Sequence, residues 1–382
     1  MANQEVMQAD KKEISWVPIV FIVTYHLALL VALPLYLMSY TPSWLMIGCT
    51  FLLIICSGFS ITAGYHRLYS HRTYVTKKPI EWVLLFFGTL STQGSVFRWC
   101  YDHRVHHQHL DSARDPYETP KGFWHSHLLW MFKKGAPIED KYIKDLKQRK
   151  LLEFQDKYYG QLVLLTNVTT TLLVAWITGD LIGAFVISFL LRLFINHHTT
   201  WFINSLAHMW GAKPYSTEHS AVNNFILAFL TYGEGYHNFH HTFASDYRNG
   251  VRWYQFDPTK YLIWGLSKMG LASGLKRTDG LMIKKRLVQA DRKLLMEHLS
   301  EIRDTNSQVL EEYIEQLSEK LSATITSAKT TLERYRSLDR KQNHIEFEEL
   351  KTKFNELRSE ISRDLKTWRR LCNFVLKMQP AV

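Results

Sequence analysis

The chain has 382 residues, a formal net charge of +11 and a mean hydropathy of −0.16, values that on average suit a basic soluble protein. With 46% apolar and 14% aromatic residues it is not a disordered or collagen-like chain, and four cysteines without a close pair (Cys49, Cys56, Cys100, Cys372) exclude a disulfide scaffold or zinc ribbon. The average hides strong segregation, because apolar residues come in long blocks and 15 of the 18 histidines fall between His66 and His241.

Taken in order, a short N-terminal segment (1–15) precedes a block without charged side chains, Trp16 to Met38, long enough to cross a bilayer as helix. A second block, Trp44 to Gly64, follows a connector of a few uncharged residues. A third (160–178) and a fourth (181–203) repeat the pattern around Asp180. The expected architecture is therefore an all-α integral membrane protein with four transmembrane helices in two hairpins. Between Tyr65 and Gly160 there are 16 Lys+Arg against 10 Asp+Glu, and from Asn204 onward 27 against 21. Because basic residues accumulate on the cytoplasmic side, both termini and the large loops are expected there. The stretches Ile80 to Leu90 and Val222 to Tyr232 are too short to span; they should lie in the interface or bury within the cytosolic part.

From 281 to 382 the character changes. The segment has no glycine, and 36 of its 102 residues are charged, which leaves solvated faces beside apolar ones. Leu310, Ile314, Leu317, Leu321 and Ile325, and later Phe347, Leu350, Phe354, Leu357 and Ile361, recur at helical spacing. About three amphipathic helices follow, broken near 304–307 and 341–343, that form a bundle or support self-association.

The chemistry sits in the histidines. His103, His106 and His107, and likewise His237, His240 and His241, stand at i, i+3 and i+4, so each trio can point to one place on a helix. His66 and His71 are five apart, about 140° on an ideal α-helix, so they need a helix end or two different metals. Asn204 and His208 add a pair at i, i+4. Imidazole suits iron, zinc, copper and nickel, and nine ligands exceed what one ion accepts, so two metals are implied. A carboxylate-bridged arrangement with paired Glu-x-x-His motifs is disfavoured, since Glu234 and His237 make only one. His26, His109, His125, His127, His219, His298 and His344 read as solvated or locally satisfied, and His197 and His198 as non-ligands.

Over Trp16 to Lys276 the chain resembles membrane fatty acyl-CoA desaturases of the stearoyl-CoA (Δ9) type. The motifs are Gly64-Tyr-His-Arg-Leu-Tyr-Ser-His71-Arg72, Trp99-x-x-Asp102-His103-Arg-x-His106-His107, Asp115-Pro116, Trp130, Asn204-Ser-x-Ala-His208 and Gly233-Glu-Gly-Tyr-His237-Asn-Phe-His240-His241. The resemblance implies a desaturase domain over 16–276 whose cytosolic helical cap holds two iron ions on His66, His71, His103, His106, His107, His208, His237, His240 and His241, with Asn204 reaching one iron through water. It implies a bent acyl tunnel lined at its kink by Gln93, Trp99, Thr200 and Trp201, an acidic Asp102 near the thioester end, and Lys133 and Lys134 near the CoA phosphates. Expected participants are a long-chain acyl-CoA, O2, membrane lipid and a separate electron donor of ferredoxin or cytochrome b5 type with its reductase, the chain having no His-Pro-Gly-Gly haem motif; no nucleic-acid partner is expected. Tyr101 replaces an arginine of the vertebrate enzymes, and the 281–382 helices lie outside the family pattern. An acyl-lipid desaturase and a histidine-box hydroxylase are the alternatives.

Overall fold

The computed structural model describes residues 13–302, 307–339 and 343–378, which fall into two compact units. One comprises the described residues up to Ala212 together with His219–Arg277; the other comprises Lys213–Glu218 and the described residues from Thr278 onward.

In the first unit, four helices among the described residues are long and apolar enough to cross a membrane: Trp16–Ser39, Trp44–Ser70, Tyr159–Thr178 and Leu181–His208. Their outward flanks are bare. In the first, Val17, Val20, Leu27, Leu30 and Val31 are all more than half exposed, whereas Ile22, Tyr25, Leu29 and Tyr36 are buried. Such a surface is an aggregation hazard in water and an ordinary solvent contact in lipid, so this is a membrane protein. The connectors are closed by side-chain caps. Ser43 Oγ accepts from Met46 N at 3.1 Å, and Asp180 Oδ1 accepts from Gly183 N at 2.7 Å while Tyr36 donates to its Oδ2 at 2.5 Å. The one acid of the second connector therefore secures the end of the first span to the start of the fourth.

Two spans run further than their apolar stretches. The second does not stop near Gly64 but continues as a π-helix, Ser60–Ser70, whose residues are all buried. The fourth passes residue 203 and ends in a 3-10 turn, Leu206–His208. Apolar content marks where lipid ends; the backbone hydrogen-bond ladder continues because the extension is buried in protein.

The helix Lys78–Leu90 lies two-faced, with Glu81, Leu84 and Leu85 buried and Trp82 and Val83 exposed; Phe225–Leu230 likewise buries Leu227 and exposes Phe225 and Phe229. Both are helices too short to span, as their apolar stretches imply. A two-residue antiparallel ladder, Val75↔Ser273 and Thr76↔Ala272, ties the exit of the second span to the end of this unit.

Arg192 is the charge buried within the fourth span. Its guanidinium donates to Asn167 Oδ1 at 2.5 Å, Ser188 O at 2.8 Å and Leu90 O at 3.2 Å, joining the third and fourth spans to the helix Lys78–Leu90. A charge placed in a span costs about 2.5–3.5 kcal/mol unless it is met by such acceptors.

In the second unit the helices Gly280–Ile302, Ser307–Ser337 and His344–Val375 pack on each other. Ile314, Leu317, Leu321 and Ile325 are buried as the periodicity requires, against Val288, Leu295 and Trp368 among others. Trp368 Nε1 donates to Asp291 Oδ2 at 3.0 Å, and burial raises that carboxyl above its ordinary range while the indole N–H opposes the shift. The expected breaks lie largely outside the described residues.

Replacing Arg192 by leucine strands the Asn167 carboxamide and the Leu90 carbonyl. The expected loss is about 2–3 kcal/mol, read as a lower melting temperature of the detergent-solubilised protein.

Candidate metal centre

Nine imidazoles converge in two groups. His66, His71, His103, His107 and His240 form one; His106, His208, His237 and His241 form the other, and within each group the ligand nitrogens all lie within 4.8 Å of one another.

The backbone explains the sorting. His66 and His71 bracket one π-turn, closed by the bond His71 N→His66 O at 3.0 Å. At about 4.4 residues per turn, a five-residue step nearly repeats the direction, so both rings enter the same group at a helix end and two separate metals are not needed for them. The other two trios do not point to a single place. On the helix Val96–His109 the i, i+4 pair His103 and His107 shares a group while His106, at i+3, turns to the other. On His237–Thr242 the pair His237 and His241 stays together and His240 crosses over. An i+4 step advances about 40° and an i+3 step lags about 60°, so two ligand sets side by side divide each trio at that point. Each helix therefore serves both groups, and His107 and His241 stack at 4.1 Å between ring centres where the groups meet.

Within the groups the Nε2 atoms face each other. His66 and His240 are 3.0 Å apart, His71 and His103 2.7 Å, His107 and His240 2.9 Å, and His237 and His241 3.0 Å. Burial, and then the neighbouring imidazoles, push the pKa of His71, His103, His107, His237, His240 and His241 well below the ordinary histidine value. The rings are neutral, which is the ligand form, and their facing lone pairs call for a cation between them. The donor set fits a metal ion in each group.

Carboxylates fix the outward nitrogens. Glu234 Oε2 lies 2.8 Å from His66 Nδ1, its Oε1 accepts from Arg67 Nη2 at 2.8 Å, and Asn249 Nδ2 donates to Oε2 at 2.6 Å. Burial alone would raise the Glu234 carboxyl, but Arg67 and His66 bring it down to about 2. Arg67 in turn is gripped by Asp257, with Nη2 donating to Oδ1 at 3.0 Å. His106 Nδ1 meets Asp115 Oδ1 at 2.9 Å, both fully buried. His208 Nδ1 meets Ser220 Oγ at 2.7 Å, and Ser220 donates onward to Asp111 Oδ1 at 2.5 Å. In each case Nδ1–H is held outward and Nε2 is left as a lone pair. The single Glu-x-x-His motif thus serves to orient His66. Asp111 and Ser220 are 109 residues apart and carry no local sequence signal, whereas Asp115 and Glu234 lie within the Asp-Pro and Gly-Glu-Gly-Tyr-His motifs.

The remaining site residues fall around this centre. Trp99 stacks on His103 at 5.0 Å, and Gln93 Nε2 donates to Thr200 Oγ1 at 2.9 Å. Asn204 closes the helix Arg192–Asn204, half-buried and four residues before His208. Trp201 is enclosed by rings, with His197 stacked at 5.1 Å and His198 and His127 edge-on at 5.0 and 5.7 Å. These histidines satisfy one another: His198 Nε2 meets His26 Nε2 and His198 Nδ1 meets His127 Nε2, each at 3.0 Å, and His197 Nδ1 meets the Tyr25 hydroxyl at 2.9 Å. Their nitrogens run in series rather than converging. Asp102 is held in a fork by Arg98, at 2.7 and 2.5 Å, and Arg98 escaped the sequence reading. Lys133 and Lys134 are exposed; Lys134 pairs with Glu13, and Lys133 bridges Ile14, so this strip anchors the entry to the first span.

A family model described as fatty acid desaturase matches residues 42–272. Acyl-CoA desaturase 1 of Saccharomyces cerevisiae is 42% identical over 242 residues, 62% of this chain and 47% of the yeast protein; a probable acyl-CoA desaturase of Schizosaccharomyces pombe is 41% identical over 63% and 50%. The match thus spans about half the length of these two relatives. An sn-1 stearoyl-lipid 9-desaturase of Anabaena variabilis is 32% identical over 72% of this chain and 98% of its own. The histidine groups and helical frame are those of a membrane protein with two candidate metal sites. The chain belongs to the fatty acid desaturase family.

Glu234→Gln and Asp115→Asn each remove an anchoring charge without touching a group nitrogen. Metal affinity should fall about 10- to 100-fold in each, read by metal content after dialysis against a graded chelator.

Proposed function

We propose that the protein is an oxygen-dependent fatty acyl desaturase that introduces a cis double bond at Δ9 of a saturated C16–C18 acyl-CoA. The observation that carries this reading is the pair of adjoining all-imidazole groups at the ends of the second and fourth spans. Neutral nitrogen ligands without a bridging carboxylate suit iron that must cycle in oxidation state next to an apolar substrate. His66, His71, His103, His107 and His240 hold one iron; His106, His208, His237 and His241 hold the other, with Asn204 contributing through water. Bound there, the iron pair supplies dioxygen reduction and hydrogen abstraction from an unactivated methylene.

The chain's own residues do the positioning. Trp99, stacked on His103, presents an apolar wall beside the first group, and the Gln93–Thr200 bond braces the bend of the acyl tunnel together with Trp201. A carbon pair fixed against such a wall gains selectivity from position alone, since neighbouring methylenes are chemically alike. Asp102, held by Arg98, stands at the thioester end, and the exposed Lys133 attracts the CoA phosphates. Glu234 on His66, Asp115 on His106 and the Ser220 hydroxyl on His208 keep those protons outward and the ligand nitrogens inward.

The excess of Lys and Arg in the loops and in the region after the fourth span supports a cytoplasmic metal site and termini, with the four spans as two hairpins in a bacterial inner membrane or endoplasmic reticulum. Electrons come from a separate donor of ferredoxin or cytochrome b5 type and its reductase. The helices from Gly280 onward are candidates for self-association. The name of the cyanobacterial relative favours one second reading, an acyl-lipid substrate.

Iron-loaded membranes with a reducing system and stearoyl- or palmitoyl-CoA should yield the Δ9 monoene, 2 mass units lighter. A product about 16 units heavier would make the protein a hydroxylase, and turnover only of phospholipid-bound chains would favour the acyl-lipid reading. His106→Ala and His240→Ala should each abolish turnover; full activity in either would remove that residue from the ligand set.

A further inference from the structure

Asn196 is a buried carboxamide in the fourth span, 3% exposed, whose Nδ2 and Oδ1 both have no hydrogen-bond partner among the described residues. An amide left so within a span is costly, and such groups are satisfied by water or by a ligand. It lines a narrow cavity, wide enough for about one water molecule, with Ile61, Thr62, Gln93, Thr200 and Tyr232. The other polar groups of that wall are engaged. Thr62 Oγ1 pairs with Thr259 Oγ1 at 2.8 Å, Gln93 donates to Thr200, Thr200 Oγ1 donates to Asn196 O at 2.9 Å, and the Tyr232 hydroxyl donates to Ile54 O at 3.2 Å.

The cavity adjoins the metal centre on the membrane side. Ile61 stands one π-turn before His66 on the same helix, and Tyr232 precedes His237 by five residues. Asn196 lies four residues, about 6 Å, deeper in the span than Thr200. On the reading of Gln93 and Thr200 as the bend of the acyl tunnel, on which this inference rests, the methyl-end half of the chain runs toward Asn196.

We propose that Asn196 is a hydrogen-bonding end-stop of the acyl channel. Its carboxamide holds a hydroxyl-class ligand, either a water beyond the methyl end of the chain or an oxygen carried on the chain itself. A wholly apolar chain long enough to reach the amide displaces that ligand and offers nothing in return, so such chains are discriminated against. Asn196 is thus a specificity-determining residue for chain length.

The test compares wild type, Asn196→Leu and Asn196→Ala in iron-loaded membranes, with palmitoyl-CoA, stearoyl-CoA and 16-hydroxypalmitoyl-CoA as probes. Leucine has the heavy-atom count of asparagine but is bulkier and has no polar atom, so a gain cannot come from added space, and Asn196→Leu should raise the stearoyl-to-palmitoyl product ratio about tenfold at unchanged iron content. If only Asn196→Ala raises it, volume governs and the proposal is overturned; an unchanged ratio in both overturns it as well. With the ratio shifted, a preference of wild type over Asn196→Leu for the hydroxylated chain assigns the ligand to the chain, and equal handling by both assigns it to water. A wild type that makes no monoene from any probe fails the desaturase reading instead. The ratio of thermal stabilisation of the solubilised protein by stearoyl- and palmitoyl-CoA then decides the role of Asn196 by the same criterion.

Discussion

Imidazoles buried with their ligand nitrogens facing one another repel, and most of the architecture serves to hold them in that arrangement. Five Nε2 lone pairs in one group and four ligand nitrogens in the other are tolerable around a cation and unfavourable without one, so the helices that carry them must be stiff and their tautomers imposed. The π-turn aligns His66 with His71. Arg67, itself held by Asp257, and His66 together keep Glu234 ionised against its own burial, and Glu234 keeps the His66 proton outward. Asp115 and the Ser220–Asp111 relay repeat the device for His106 and His208.

The membrane spans act as mounts for this centre. Two of them extend beyond the lipid-compatible sequence so that ligands ride on continuous helices rather than on loops, which limits the positional error of each nitrogen. Polar links inside the spans make the mount rigid: Arg192 joins the third and fourth spans, Asp180 the first and fourth, and His26 reaches His198 and through it His127. In hydrocarbon such links have no water competing for them, and a group left without one, as Asn196 is, stands out.

Much of this was legible in the sequence because it is periodic or compositional. Apolar runs fix the spans by length, the 3.6-residue repeat fixes the buried face of the C-terminal helices, and histidines at i, i+3 and i+4 announce ligands. The same periodicity misled where two sites share one helix, since it shows that His103, His106 and His107 lie on a common flank but not that the flank divides between two groups. Arg98, Asp111 and Ser220 were invisible because a lone arginine, aspartate or serine has no local signature when its partner is supplied by another segment.

By itself the sequence determined the residue types, the spans and the nine histidines, all properties of short stretches read against helix geometry and bilayer thickness. Only the tertiary structure decided which imidazoles share a group, which carboxylate holds which proton, and that the end of the second span, Ser60–Ser70, winds as a π-helix. Most of those outcomes depend on side chains brought together from distant segments, 32 residues apart for His71 and His103 and 174 for His66 and His240, and on a hydrogen-bond shift that burial, not local propensity, sustains.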